Sequence, residues 1–301
     1  MKAEGVLPVF KPAGITSHDV VGKVRRILGI RRIGHTGTLD PDVSGVLPLC
    51  IGRATRIVEW LQELPKTYEA VLHIGMATDT EDESGTVTAR ADEVKLDEDE
   101  IRAAMSRFVG TIEQVPPMYS ALKHEGRRLY ELAREGVLVE RKPRRAVIYR
   151  IDIQDIEWRS GHPYVRFTVQ CSKGTYVRTL CADIGKALGY PAVMHSLVRT
   201  ESGGIALGQC LTLEAVAAKA EQGQLDPHVI PVDQALRHFP AARLQPEWTS
   251  RAHNGQKLPR HAGRWPETGG LVRLYDSEGR FVGIYRKQDE EACWVPVKLF
   301  V

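Results

Sequence analysis

Residues Gly34–Gly52 read GHTGTLDPDVSGVLPLCIG, and how this stretch folds decides how the chain around it is organised. Its first twelve positions hold three glycines (Gly34, Gly37, Gly45), His35, Thr36, Thr38 and an acid fixed ahead of proline, Asp40-Pro41. The apolar run that follows, Val46, Leu47, Leu49, Cys50 and Ile51, is of the kind that buries itself as a strand or core segment. A flexible turn feeding a rigid core is how a scaffold presents one side chain at a cleft. Pro41 pushes Asp40 out of helical dihedrals toward an extended conformation, so its carboxylate sits on a constrained backbone. An Asp-Pro pair most often only caps a turn, and spacing alone favours that plainer reading.

Size and composition set the outer bounds. A chain of 301 residues holds one large domain and a small one. With 43% hydrophobic and 26% charged residues it reads as a soluble globular protein. No apolar run approaches the length of a membrane span, and MKAEGVLPVFKPAG lacks the apolar centre of a signal peptide. Five scattered cysteines without a CxxC pair point to a reducing, cytoplasmic setting and away from disulfides or structural zinc. The net charge of +3 is small but unevenly spread. Residues 11–56 carry eight Lys/Arg against three Asp, and residues 118–150 nine against four Glu, whereas residues 79–100 carry ten acids and two bases. That polarity is expected of a surface that docks a polyanion, although unrelated solvated faces give the same counts.

Along the chain, residues 6–12 predict a short strand turning at Pro12-Ala13-Gly14. A helix follows, capped by Thr16 with Asp19 three residues on and stopped at Gly29; Val20, Val24, Ile27 and Leu28 share one face. Its other face and exit carry Lys23, Arg25, Arg26, Arg31 and Arg32, a basic cluster that could hold phosphates. Arg53–Leu64 reads as a helix, with Ile57, Trp60, Leu61 and Leu64 inward. Lys66–Met76 alternates as a strand, with Tyr68, Ala70, Leu72 and Ile74 on one face. The acidic segment 79–85 reads as a solvated turn without metal, because it lacks a calcium-loop ladder. Residues 97–109 predict an amphipathic helix, with Ile101, Met105, Phe108 and Val109 inward and Gly110 at its end. Residues 146–158 and 163–171 alternate as two antiparallel strands around Ser160-Gly161, and a further helix runs from about Arg178 to Leu188, stopped by Gly189. Residues 212–238 hold one or two helices. From Phe239 the texture shifts to short strands broken by glycine.

Several of these stretches are more specific as motifs than as physics. GHTGTLDP with SGVLPLCIGRAT resembles the catalytic signature of the TruB family of tRNA pseudouridine-55 synthases. KPAGITSHD, KTYEA with GMATDTEDESG, and CSKGTYVRTL resemble further motifs of that family. The resemblance implies an α+β fold with a mixed, largely antiparallel central sheet flanked by helices. It also implies a thumb-like RNA-binding insertion at about 111–150 (YSALK on a short strand, a basic helix, an RKPRR tail) and a small C-terminal PUA-like β domain. The expected domains are 1–238 and 239–301. Asp40 is implied as the essential aspartate, Tyr68 as the residue stacking on the flipped base, and Arg178 as the ion-pair partner of Asp40. Tyr176 and Leu197 are implied to line the base pocket, His35 to fill the gap left by the flipped nucleotide, and Lys11 to contact substrate. Read in isolation, Leu197 is indistinguishable from core leucine, Tyr68 from a core aromatic, and His35 from a histidine that hydrogen-bonds its own turn. The chain departs from the family's usual small residue at Val43, which bears on local packing.

Turning a uridine into pseudouridine breaks N1–C1′ and joins C5 to C1′ without redox change or energy input, so no cofactor is expected; no metal is assigned. The implied partner is the T arm of tRNA. No protein partner and no membrane is implied, and a monomer is expected. Two other classes remain open: an RNA-binding or tRNA-folding protein that acts without catalysis, and a hydrolase using Asp40 as a covalent nucleophile. The hydrolase lacks a recognisable leaving-group site. Within the family, a guide-RNA-dependent relative is disfavoured, since the chain has no long basic tails and carries its own thumb-like insertion.

Overall fold

Thr16 begins the first helix as the sequence requires, with its hydroxyl accepting from the Asp19 N–H while the Asp19 carboxylate accepts from Thr16. The computed structural model describes residues 4–267, 270–288 and 293–301. Met1–Ala3, the start of the segment read as lacking a signal core, lie outside the described residues. In chain order the elements of the first part are β1 (Gly5–Lys11), α1 (Ser17–Leu28), β2 (Ile33–His35), β3 (Ser44–Ile51), α2 (Val58–Glu63) and β4 (Lys66–Ile74). Then come β5 (Met76–Thr78), β6 (Val87–Arg90), α3 (Glu98–Ser106), β7 (Gly110–Gln114), β8 (Lys123–His124), β9 (Arg127–Arg128) and α4 (Leu129–Arg134). The series closes with β10 (Arg144–Arg159), β11 (His162–Cys171), α5 (Val177–Leu188) and β12 (Ala192–Ser202).

The central sheet runs β1-β3-β12-β4-β11-β10-β7, with β2 added along β3. Every pairing on that path is antiparallel except β3 with β12. This is the mixed, largely antiparallel sheet expected. The parallel contact is brief, Val198 opposite Ser44 and Arg199 opposite Gly45, and it depends on glycine. A Cβ on Gly45 would lie 2.2 Å from the Arg199 carbonyl oxygen, and its φ of 122° is one that L side chains rarely adopt. One face of the sheet packs α3 and α5 through Leu72, Ile74, Phe167, Ile101, Leu180 and Ile184. At the β1–β3 end, Val20, Val21 and Val24 of α1 cover Leu7, Val9 and Leu47. Ser160 (φ 48°) and Gly161 (φ 82°) make the two-residue left-handed turn joining β10 to β11.

Three local expectations differ from the structure. Gly52–Ile57 is a 3₁₀ turn and only Val58–Glu63 is α-helical; apolar spacing cannot separate these over so short a span. Helix α3 stops at Ser106, so Val109 falls past its end and is 47% exposed instead of inward. Met118–Ala121 is a series of bends, and the strand pair of the insertion begins only at Lys123.

Beyond Phe239 a second sheet of six strands carries Ala241–Leu244 parallel to Leu271–Tyr275 and antiparallel pairs on either side. A short helix, Thr249–His253, interrupts what the sequence reads as strands alone. This sheet is seated on the first: Ile284 and Phe300 share an apolar cluster with Val46, Cys50, Ile57 and Leu236. Arg56 Nη1 donates to the Leu299 carbonyl at 2.7 Å across the same seam.

Candidate active site

Asp40 is held between two buried apolar anchors, Leu39 and Val43, both part of the core under β4 and β11. The branched side chain of Val43 is 4% exposed, so the larger residue is accommodated inside that core. Ser17, at the start of α1, accepts the Leu39 N–H at 2.9 Å. Lys11, at the end of β1, is wholly buried and donates to the Pro12 and Pro41 carbonyls, each at 2.9 Å. Lys11 therefore lies beneath the Asp40-Pro41 turn and ties it to β1. Burial pushes its pKa down to about 8, against the charges of Asp42 and Asp40.

Above this turn stands Arg178, on the first turn of α5 and only 5% exposed in its side chain. Its Nη2 lies 3.0 Å from Asp40 Oδ2 and also donates to the Tyr119 carbonyl at 2.8 Å; Nη1 donates to the Thr80 carbonyl at 2.8 Å. Its Nε faces Asp82 Oδ2 at 3.8 Å. The guanidinium thus joins the Asp40 turn, the acidic loop and the base of the insertion. Asp40 keeps 43% of its side chain accessible to the cleft. Burial raises its pKa above the usual carboxylate range; Arg178 pulls it back, and the nearby Asp82 charge adds to the rise.

The acidic segment 79–85 is a packed loop, not the solvated turn expected. Asp82 Oδ1 accepts from the Thr80 and Ser84 hydroxyls, at 2.7 and 2.5 Å. Glu81 Oε2 accepts from the Thr179 hydroxyl at 2.6 Å. Composition reports the charge of this loop but not the partners that fold back onto it from about a hundred residues further on.

Tyr68 opens β4 on the same face as Ala70, Leu72 and the core, with Leu197 opposite Ala70 and Arg199 opposite Tyr68 on β12. Burial raises the Tyr68 phenol pKa, and the Arg199 guanidinium beside it works in the other direction. Arg199, which the sequence reading missed, is almost completely enclosed and donates to Val46, Thr38 and Gly37 carbonyls at 2.7, 3.4 and 3.1 Å. It fixes the GHTG turn to β12 from inside. His35 sits on β2 with Nδ1 accepting the Gly37 N–H at 3.3 Å; burial, with Arg199 and His18 nearby, lowers its pKa. Tyr176 precedes α5, and its backbone is clamped by the buried Gln114 side chain through bonds of 3.0 and 3.1 Å. Its phenol pKa is raised by burial and by Asp40. Asp40 and Arg178 therefore meet directly, Tyr68 and Tyr176 lie near enough to feel the Asp40 charge, and Leu197 pairs with Ala70 two residues along β4 from Tyr68, with Lys11 below the turn and His35 on the adjoining one. Among the described residues no group of histidine, cysteine and acid side chains has the arrangement to hold a metal ion.

Comparison with known proteins points to one family. Residues 25–177 match the model of the TruB family pseudouridylate synthase N-terminal domain, residues 178–237 a tRNA pseudouridylate synthase B C-terminal domain, and residues 240–295 a second TruB C-terminal domain. The chain is 47% identical to tRNA pseudouridine synthase B of Bacillus pumilus, over 94% of its own length and 93% of the relative's. It is 46% identical to the protein of that description from Geobacillus thermodenitrificans, over 99% of both. Among solved structures, a chain from a Cbf5-Nop10-Gar1 complex superposes with a TM-score of 0.75 at 29% identity, covering 99% of this chain and 84% of that one. A chain from an H/ACA ribonucleoprotein bound to a substrate RNA containing 2′-deoxyuridine gives 0.75 at 26%, covering 99% and 85%.

Proposed function

Because the chain belongs to the TruB family of pseudouridylate synthases, we propose that this isomerase acts on tRNA and converts uridine 55 of the T loop to pseudouridine with Asp40 as the essential aspartate. The observation that carries the reading is the Asp40–Arg178 contact of 3.0 Å, with Tyr68 and Tyr176 close enough for the Asp40 charge to act on their phenols. A T-loop uridine is inside folded RNA and must be flipped out before chemistry. Tyr68 then stacks on the extruded base, Leu197 and Tyr176 close around it, and His35 fills the vacated position. Asp40 as a carboxylate serves either of two first steps: attack on the nucleotide, or removal of the C2′ proton that frees the base. In both, N1–C1′ breaks, the base turns, C5–C1′ forms, and the C5 proton leaves as N1 gains one; the first route closes when the bond to Asp40 breaks, the second when the proton returns to C2′. Arg178 fixes the carboxylate's direction and favours its charged form.

The basic insertion at about 111–150 is assigned to gripping the T arm. Arg127, Arg128 and Arg134 lie on or beside α4, and Arg128 and Arg134 flank the Tyr130 ring at 5.9 and 5.5 Å. Cations beside an aromatic face suit phosphate and stacking contacts together. We assign residues 1–238 to catalysis and 239–301 to a PUA-like RNA-contacting role. A cytoplasmic setting fits five cysteines that stay as thiols. An unmodified tRNA transcript incubated with the protein and read by carbodiimide-dependent primer extension tests the assignment. One new stop, one nucleotide 3′ of uridine 55, is expected; stops elsewhere, or none, would refute it.

A further inference from the structure

The loop that reaches Arg178 is fastened on its other side. Glu83 directs its two carboxylate oxygens to two different strands: Oε1 lies 2.9 Å from His73 Nδ1 on β4, and Oε2 lies 2.7 Å from His195 Nδ1 on β12. His73 is 7% exposed. Its ring stacks on Tyr164 at 4.3 Å, and its Nε2 faces His162 Nδ1 at 3.4 Å. His162 in turn meets the Ala91 carbonyl at 2.9 Å through Nε2. Arg159 lies over the Tyr164 ring at 4.5 Å. This anchor is therefore rigid and formed largely by the sheet.

The same loop is stitched to β12 by the Met194 N–H, which donates to the Glu81 carbonyl at 3.1 Å. Between these ties Glu81 adopts φ 64°, a left-handed conformation that a non-glycine residue holds only against strain. A segment held in that conformation keeps it only while its surroundings over-determine it. The neighbours of Glu81 are the groups that matter to the cleft: Thr80, whose carbonyl accepts from Arg178, and Asp82, whose carboxylate faces the Arg178 Nε.

We propose that Glu83 is a positioning residue for the reaction: by clamping the 79–85 loop to His73 and His195 it holds Thr80 and Asp82 where they aim Arg178 at Asp40. The proposal rests on the reading of Asp40 and Arg178 as the reacting centre, and the test separates the two. Single-turnover rates at saturating T-arm hairpin, hairpin Kd and Tm are measured for wild type, Glu83→Ala, Glu83→Gln and His195→Gln. The same set is repeated in an Arg178→Lys background, whose ammonium cannot span the Thr80 and Tyr119 carbonyls as the guanidinium does. Glu83→Ala is expected to slow the single-turnover rate about tenfold with Kd within about twofold, and to lose most of that effect in the Arg178→Lys background, as coupled residues do. Glu83→Gln and His195→Gln, which keep a polar side chain of similar size, should fall between wild type and Glu83→Ala. A rate for Glu83→Ala within about twofold of wild type, or the same factor in both backgrounds, would overturn the proposal, since a merely structural role adds independently. Arg178→Lys with wild-type rate would instead remove the reading on which the proposal rests.

Discussion

Arg178→Met is the substitution with the most to say about the cleft. Methionine keeps much of the volume on the first turn of α5 but removes the cation 3.0 Å from Asp40 and the donors to Thr80 and Tyr119, each at 2.8 Å. Losing one member of an enclosed ion pair costs about 3–5 kcal/mol. Asp40 remains 43% exposed, so water replaces part of the lost contact and the stability cost should fall below that range, about 2 kcal/mol. For a chain of this size that lowers Tm by several degrees and leaves the fold intact. The rate should suffer more, because an oriented charge is lost where the reaction develops charge: about 10²–10³-fold in single turnover, with hairpin Kd little changed. The sign of the pH effect is also fixed. Arg178 lowers the Asp40 pKa and Asp82 raises it. If Asp40 must be ionised, the acid limb of the single-turnover profile moves to higher pH in Arg178→Met and to lower pH in Asp82→Asn. Turnover for Arg178→Met within about threefold of wild type, or limbs that move the same way in both variants, would refute the reasoning.

Two further substitutions address how the turn is held. Gly45→Ala would place a methyl group 2.2 Å from the Arg199 carbonyl oxygen at a φ of 122°; we expect a loss of about 3 kcal/mol or more, seen as a collapse of Tm or of soluble yield, and wild-type stability would contradict the β3–β12 contact. Lys11→Met should release the Asp40-Pro41 turn and reduce the rate without changing RNA affinity. Its pH signature is worked from the folded pKa of about 8 against an ordinary 10.5: between those values the unfolded chain binds the extra proton, so wild-type stability rises with pH relative to the variant. Denaturant titrations of both across that window check it, and parallel curves would contradict a buried amine.

What could be read from the sequence was mostly local. The Thr16–Asp19 capping box, the Gly29 and Gly189 stops, and the hairpin at Ser160-Gly161 are each specified by a few adjacent residues, and the structure has them all. The apolar run after Asp40 is β3, buried along nearly its whole length. The misreadings share a cause. Val109 obeys helical spacing but lies beyond the point at which the helix ends, and Gly52–Ile57 is too short for periodicity to distinguish 3₁₀ from α. The acidic loop looked solvated because its partners, Arg178, Thr179 and His195, are distant in sequence, and tertiary contacts decided its conformation. Arg199 was invisible for the same reason: a charged residue in an alternating strand predicts a solvated face, yet three backbone carbonyls from the GHTG turn and β3 satisfy it inside the protein.

The most direct test of the central claim is tritium release from a T-arm RNA hairpin labelled at uridine C5, with wild type and Asp40→Asn assayed side by side and hairpin binding measured for both. Release by wild type alone, with binding retained by the variant, is the predicted result, because the asparagine keeps the turn but cannot act as nucleophile or base. Release by both would contradict the assignment of Asp40, and release by neither, with tight binding by both, would leave an RNA-binding protein in place of the isomerase.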